Sequence, residues 1–188
     1  MRLRLFVVAL LSIFMQTISA QGIRLPEVPR NKPFKQYSEQ KRGFWFAAEG
    51  GAGSTVEHMR NTQMATLMVT AGYRFSEYLR VGAGVGGNYY FNNSDIRGTS
   101  NRVSIPFFAN VRGSFMSQEI QTAVPYWSLS AGYKSNDGAF VRPGIGMRFG
   151  EVRNAFIIAI NYEYGELRKT DSEKMKCSSF HLSLGYEF

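Results

Sequence analysis

The final nine residues, Phe180-His-Leu-Ser-Leu-Gly-Tyr-Glu-Phe188, show most clearly how the chain folds. Every second position is apolar, and the positions between carry polar or very small residues. A period of two is typical of a β-strand whose two faces meet different surroundings. The apolar face consists of Phe180, Leu182, Leu184, Tyr186 and Phe188. The stretch therefore predicts a strand that runs to the last residue.

The same alternation recurs upstream, so that eight such segments lie between Gly43 and Phe188 with turn-rich stretches between them. The first segment is the least regular, because Trp45 falls on the face that is otherwise polar or small. An even number of antiparallel strands can close into a cylinder that leaves no backbone edge unpaired in lipid. The pattern predicts an all-β protein, an eight-stranded antiparallel up-and-down transmembrane β-barrel over residues 43–188.

The composition of the two faces indicates which one points outward. Gly82, Gly84 and Gly86 follow one another on the polar face of a single segment, and each polar face carries only one or two charges. A surface exposed to water would carry more charge, whereas glycine inside a narrow barrel makes room for long arginine side chains. The apolar face ends in aromatic residues such as Tyr162 and Tyr164, as in membrane barrels. We therefore predict that the apolar face meets lipid.

The predicted interior contains more basic than acidic residues. Its basic residues are Arg74, Arg80, Arg112, Lys134, Arg142 and Arg148. Its acidic residues are Glu49, Glu163 and Glu187, so the formal charge is six minus three, or +3. Side chains fill the interior of an eight-stranded barrel, and buried charges need partners. These residues predict a lumen plugged by a charge network, through which any leak would favour anions.

The first twenty residues have the three parts of a secretory signal peptide: Arg2 and Arg4, an apolar run over 5–15, and small residues before Gln21. Cleavage after Ser19 or Ala20 is expected, which lowers the formal charge from +8 to +6. Residues 21–42 are polar and rich in proline, and are interpreted as a periplasmic N-terminal leader. The remaining basic residues are scattered rather than clustered, so no nucleic-acid partner is expected.

The connections between segments alternate in length, with short turns at one end of the barrel and long loops at the other. The short turns are 76–78 and 150–153, and the long loops are 52–63, 92–101 and 166–175. Short periplasmic turns and long outer loops are typical of outer-membrane barrels. Two connections fit poorly, because 115–122 is long for a turn and 134–138 is short for an outer loop.

On these residues the chain resembles the small eight-stranded outer-membrane barrels, the class of the OmpA transmembrane domain and OmpX. More loosely, it resembles the outer membrane protein beta-barrel or porin family of Bacteroidetes. The resemblance implies location in a bacterial outer membrane, in contact with lipid and lipopolysaccharide. It also implies that the terminal aromatic strand, with Phe180, Leu182, Leu184, Tyr186 and Phe188, is the signal to the outer-membrane assembly machinery.

Catalytic and metal-binding candidates are few. His181 and Ser183 have the spacing of the His-x-Ser of outer-membrane lipid A deacylases, and Glu49 is the best candidate to orient the imidazole. Both residues are predicted to face the lumen, away from a lipid substrate, so a lipid A hydrolase is the weaker hypothesis. His58 has no second ligand at a suitable spacing, so no metal site is expected. Cys177 is interpreted as a small residue near a strand end, and no cofactor is expected.

Three functions are compatible with these sequence features. The favoured one is a structural or surface-interaction protein whose loops over 52–63 and 166–175 meet an extracellular partner. The second is a narrow channel with a weak preference for anions. The third is the lipid A-modifying hydrolase that would use His181 and Ser183.

Overall fold

A computed structural model describes residues 42–56, 62–91, 102–118, 121–168 and 174–188. The predicted signal peptide, nearly all of the predicted leader and His58 lie outside these residues. Within the described ranges, no helix is long and apolar enough to cross a bilayer.

The described residues form nine strands, two of which share one position in the barrel. They are β1 (Gly43–Thr55), β2 (Gln63–Arg74), β3 (Arg80–Tyr90), β4 (Val103–Ser104), β5 (Pro106–Ser114), β6 (Ala123–Lys134), β7 (Ala139–Gly150), β8 (Ala155–Arg168) and β9 (Lys174–Glu187). Both β4 and β5 pair with β3, and Ile105 separates them. They therefore act as one interrupted strand, which gives eight positions around the barrel.

All the pairings are antiparallel and they close on themselves. The strands follow the order β2-β1-β9-β8-β7-β6-β5-β3, and β2 also pairs with β3. The first and last strands pair from Ala47 opposite Glu187 to Thr55 opposite Ser179. Beyond that register, Phe46 and Phe188 exchange two backbone hydrogen bonds of 2.9 Å. The prediction of an eight-stranded antiparallel up-and-down barrel is confirmed.

The barrel is apolar outside and charged inside. On its outer face, Ile145 keeps 65% and Leu182 keeps 55% of its surface exposed. On the inner face, Arg148 is 1% exposed and Glu187 is 0% exposed. The predicted orientation of the two faces is confirmed by this inversion, because a soluble barrel would bury the first pair and expose the second.

Large apolar rings share the lumen with the charges. Trp45 is fully buried, so it is a ring on the inner face. A Cβ atom added to Gly82 would lie 3.0 Å from Cζ2 of Trp45, and one added to Gly84 would lie 2.5 Å from Cζ of Phe108. The expectation that these glycines make room for arginine was wrong, because aromatic rings occupy the space beside them.

The predicted loop boundaries 52–63 and 166–175 were also wrong. Strand pairing continues to Ser54 opposite Gln63 and to Arg168 opposite Lys174. The connections are therefore 56–62 and 169–173, shorter than the small and polar residues at the strand ends suggested. The reason is that backbone hydrogen bonds extend a strand pair without requiring an apolar face. Between β6 and β7 a tight turn over 135–138 is closed by Lys134 N–H, which donates to the carbonyl oxygen of Gly138 at 2.9 Å.

Candidate functional site

The lumen has two ends, which are named here by their connections. The turn end contains the start of β1, the end of β9 and the connections after β2, β5 and β7. The loop end contains the connections after β1, β3, β6 and β8. Each end holds one group of buried ion pairs, and a polar layer separates the two groups.

The Glu187 cluster lies at the turn end and consists of Glu187 with Arg74, Arg80, Arg112 and Arg148. Oε1 of Glu187 accepts hydrogen bonds from Arg74 at 3.0 Å, from Arg80 at 2.6 Å and from Arg148 at 2.9 Å. Nη1 of Arg112 lies 3.5 Å from the other carboxylate oxygen, Oε2. One buried carboxylate therefore holds four guanidinium groups together.

The sheet register explains how these arginines meet. Arg74 is opposite Arg80 across β2 and β3, and Arg80 is opposite Arg112 across β3 and β5. Like charges directly opposite each other destabilise a sheet, unless an acid lies between them. Glu187, the last residue of β9, supplies that acid.

Glu49 connects the Glu187 cluster to the middle of the lumen. Its Oε1 accepts a hydrogen bond of 2.8 Å from Nη2 of Arg112. The same guanidinium lies over the ring of Trp45, 4.7 Å from its centroid, and Nε of Arg112 donates to Asn110 at 2.7 Å. Arg112 therefore contacts different partners through its face and its edge, which fixes it in one position.

The Glu163 cluster lies nearer the loop end and consists of Glu163, Lys134 and Arg142. Lys134 binds one carboxylate oxygen of Glu163 through a short ion pair. The other oxygen accepts from Nε of Arg142 at 2.8 Å and from its Nη2. Lys134 also lies 5.2 Å from the centroid of the Phe140 ring, and Arg142 donates to the sulfur of Met68 at 2.8 Å. This acid has two cationic partners, against four for Glu187.

The long connection between β5 and β6 covers the turn end. Gln118 is 4% exposed and accepts a short hydrogen bond from Arg148 through Oε1. Glu77, in the turn between β2 and β3, accepts from the hydroxyl of Ser117 and the backbone N–H of Gln118, both at 2.9 Å. The unusual length of 115–122 is thereby explained, since its first residues fold across the mouth of the barrel.

Small cavities remain between these groups. The mid-lumen cavity, about 20 Å³, lies between the two clusters and is lined in part by Glu49, Arg112, Arg142, Asn161 and His181. A second cavity of about 10 Å³ lies toward the loop end beside Lys134, Glu163 and Cys177. A cavity needs roughly 10–15 Å³ on this scale to hold one water molecule. The larger space has room for one water molecule and the smaller is at the lower limit.

The residues of the hydrolase hypothesis are buried in the lumen but are not arranged as a catalytic group. Ser183 accepts a hydrogen bond of 2.9 Å from Asn161. The imidazole of His181 pairs through Nε2 with the hydroxyl of Ser179, also at 2.9 Å. Glu49, the carboxylate proposed to orient the imidazole, forms an ion pair with Arg112 instead. The His-x-Ser spacing thus places a histidine and a serine on one face, yet each has a different partner.

Sequence reasoning missed several buried polar residues. Glu77, Gln118 and Asp137 are each 4% exposed or less, and Asp137 accepts a hydrogen bond of 3.2 Å from the hydroxyl of Tyr90. All three lie in connections, where the period-two pattern gives no indication of facing. Glu77 and Asp137 therefore add two buried carboxylates to the three that the sequence predicted for the interior.

The outer face forms an apolar band with aromatic rings at both borders. Tyr73 contacts Phe75, and Tyr186 contacts Phe188, at the turn end. Tyr162 and Phe180 contact at the loop end. The eight steps from Phe180 to Phe188 span about 26 Å along β9, and a strand tilt of about 40° reduces this to roughly 20 Å of height. The band therefore approaches the thickness of a membrane hydrocarbon layer.

No protein-family model and no curated protein matches the chain. Among solved structures it is similar to Neisserial surface protein A, with 14% identity, 77% of this chain and 95% of that chain covered, and a TM-score of 0.56. The chain has the fold of the eight-stranded transmembrane barrels. It is also similar to OprG from Pseudomonas aeruginosa (12% identity, coverage 79% and 97%, TM-score 0.44) and to a de novo designed transmembrane β-barrel (15%, 77% and 95%, 0.43). At these identities the likeness concerns the fold, and membership of the Bacteroidetes family stays a prediction.

Proposed function

We propose that this protein is an outer-membrane barrel with a plugged lumen, whose role is structural or is carried out at its outer surface. The observation that carries the proposal is the Glu187 cluster, in which one carboxylate and four guanidinium groups fill the turn end under the cover of Gln118. Moving an ion through this layer requires breaking buried ion pairs, each of which is costly to open.

The exterior supports insertion into lipid. Side chains such as Phe44, at 78% exposure, and Leu67, at 62%, would form an aggregation-prone surface in water. In contact with lipid acyl chains, the same surface is stable without a protein partner. We propose that this lipid belongs to a bacterial outer membrane that contains lipopolysaccharide. The aromatic face of β9 from Phe180 to Phe188 is proposed as the signal to the assembly machinery.

Interaction with an extracellular partner is proposed for the loop end. With the corrected boundaries, the candidate segments are 56–62 and 169–173. The exposed Lys176, near the start of β9, adds a positive charge beside them. Lipopolysaccharide phosphates and acidic host surfaces are the chemistries that such a charge favours.

Recordings in planar bilayers test the plug. We expect no steady conductance from the purified barrel, because the buried network blocks the lumen. The second candidate, a narrow channel, would give steady currents, and the six basic residues of the lumen would favour an anion preference. A reproducible conductance would therefore contradict the proposed plug.

Location is tested by fractionation combined with gel mobility. An outer-membrane barrel is expected in the outer-membrane fraction, and its migration should change on boiling.

We also propose that the protein is not an enzyme, because Ser183 is hydrogen-bonded to Asn161 inside the barrel rather than activated by His181. If a Ser183→Ala variant changed the lipid A of cells that express the protein, that proposal would be wrong.

A further inference from the structure

A proline interrupts the ladder of backbone hydrogen bonds between β7 and β8. The pairing along β7 stops at Val141 and resumes at Gly144, in the same register. Pro143 lies in the missing rungs and has no N–H to donate, so the carbonyl oxygen of Tyr162 opposite it loses its partner in the ladder. The seam between β7 and β8 is therefore weakened at this point, whereas the seam between β6 and β7 is continuous.

A second gap lies two strands away, between β3 and its partners β4 and β5. The pairing with β3 stops at Ser104 and resumes at Phe107, again in one register. Pro106 lies in the missing rungs, and the carbonyl oxygen of Gly86 opposite it loses its ladder partner in the same way. The break between β4 and β5 therefore has the same cause as the gap beside Pro143.

The residues on the loop side of both gaps form one unit, named here the loop-end flap (103–105 and 131–141). Hydrogen bonds join its parts. Ser135 N–H donates to the carbonyl oxygen of Ile105 at 3.0 Å, and Ile105 N–H donates to the hydroxyl of Ser135 at 3.2 Å. The side chain of Asn136 donates to β4 at 3.0 Å. These contacts allow the flap to move as one body.

Short ladders join the flap to the strands beside it. The pairs that the structure describes between β7 and β8 beyond the gap are Phe140 opposite Gly165 and Val141 opposite Tyr164. On the other side, β3 makes two pairs with β4 and one further backbone hydrogen bond of 2.9 Å. By contrast, β8 pairs with β9 as far as Arg168. The edges of the flap should therefore open more readily than the longer ladders toward the turn end.

An ion pair bridges the gap between β7 and β8 from the lumen. Arg142 and Glu163 lie opposite each other in a missing rung, and two nitrogens of the guanidinium donate to Oε2 of the acid, Nε at 2.8 Å. On the outer face, Tyr162 contacts the ring of Phe180 and donates to the hydroxyl of Ser178, so this side chain joins β8 to β9 rather than to β7. The buried ion pair is thus placed to hold the weakened seam closed.

We propose that the loop-end flap swings outward as one body and opens the barrel wall between β7 and β8, with Arg142 and Glu163 as its latch. The Glu187 cluster stays closed at the turn end during this movement. The inference goes beyond the proposed plug and requires no conductance. Bilayer recordings therefore test the plug, whereas hydrogen exchange tests the flap.

Hydrogen exchange followed by mass spectrometry, on the barrel in detergent, measures the opening. In the wild type, peptides of the flap should exchange about tenfold or more faster than peptides of β7 and β8 near the turn end. Pro143→Ala supplies an N–H for the carbonyl of Tyr162 and should slow exchange of the flap by about two- to tenfold, as expected for one net hydrogen bond. Pro125→Ala, the same substitution in β6 toward the turn end, is the control and should leave the flap unchanged.

A disulfide across the seam tests the movement independently. In a Cys177→Ser background, Val141→Cys with Tyr164→Cys places two thiols on directly opposed residues, and oxidation should remove the fast exchange of the flap. The matched tether, Met147→Cys with Ile158→Cys, joins opposed residues of the same seam on the turn side of the gap and should leave the fast exchange in place. Slow exchange of the flap in the wild type, or an equal response to both tethers, would overturn the proposal.

Discussion

The two ion-pair clusters of the lumen differ in how many cations depend on one acid. Glu187 at the turn end holds four guanidinium groups, and the connection containing Gln118 covers them. Glu163 at the other cluster holds one lysine and one arginine, beside the ring of Phe140 and the sulfur of Met68. The comparison indicates that more buried cations share one carboxylate at the turn end than in the Glu163 cluster, so that the loss of Glu187 should disturb more ion pairs than the loss of Glu163.

The largest effect is expected from Glu187→Gln. The substitution keeps the size of the side chain and removes the charge that four buried arginines contact. Breaking a buried ion pair in this way costs about 3–5 kcal/mol, so the free energy of unfolding should fall by at least that amount. Urea titration of the barrel refolded into detergent, followed by heat-modifiable gel mobility, measures it.

Glu187→Asp is the matched control, because it keeps the charge on a shorter side chain and should recover part of the loss. Refolding of purified protein separates stability from assembly in the cell, which matters because Glu187 lies within the proposed assembly strand. A Glu187→Gln barrel as stable as the wild type would contradict the proposed importance of this acid for the turn end.

Glu163→Gln should have the second-largest effect. Two cations lose their acid, but Lys134 keeps its ring contact with Phe140, and Arg142 keeps its hydrogen bond to Met68. We expect a loss of about 2–3 kcal/mol in the same urea titration. Glu166→Gln, a half-buried acid further along β8, is the control and should cost less than about 1 kcal/mol. If Glu163→Gln were more damaging than Glu187→Gln, the ranking of the clusters would be reversed.

Gln118→Ala tests the cover of the turn end. The substitution removes the acceptor for Arg148 and leaves a guanidinium hydrogen bond unmade, which costs about 1–3 kcal/mol. It should also speed hydrogen exchange at residues of the turn end more than at those of the loop end, as measured by mass spectrometry. Gln121→Ala, in the same connection, serves as the control. Uniform exchange across the barrel in Gln118→Ala would mean that this connection does not seal the end.

The sequence predicted the architecture well because lipid on one side and a crowded lumen on the other impose a strict alternation. For residues such as Ile145 and Arg148, the position in the alternating pattern is enough to predict whether the side chain points to lipid or to the lumen. The ion-pair partners in the lumen could not be predicted from the sequence, because strand register decides that Arg80 lies opposite Arg112 and that Glu187 lies among the arginines. Connections have no alternation, so the burial of Glu77 and Gln118 gave no sequence signal. The ends of β1 and β8 were missed because the backbone continues to pair beyond the apolar face.

The smallest effect is expected from Ser183→Ala in the polar layer between the clusters. It removes the acceptor of the Asn161 amide, a neutral hydrogen bond of 2.9 Å inside the barrel. A bond of this kind contributes about 0.5–1.5 kcal/mol, well below the effects at either acid. Ser178→Ala is the paired control, because Ser178 accepts from the exposed hydroxyl of Tyr162 at the same distance on the outer face. Urea titration should show the larger loss for Ser183, since water or lipid headgroups can replace an exposed partner but not a buried one. Equal losses would indicate that the polar layer is as well hydrated as the barrel surface, and that the two clusters are joined by water rather than separated by fixed side chains.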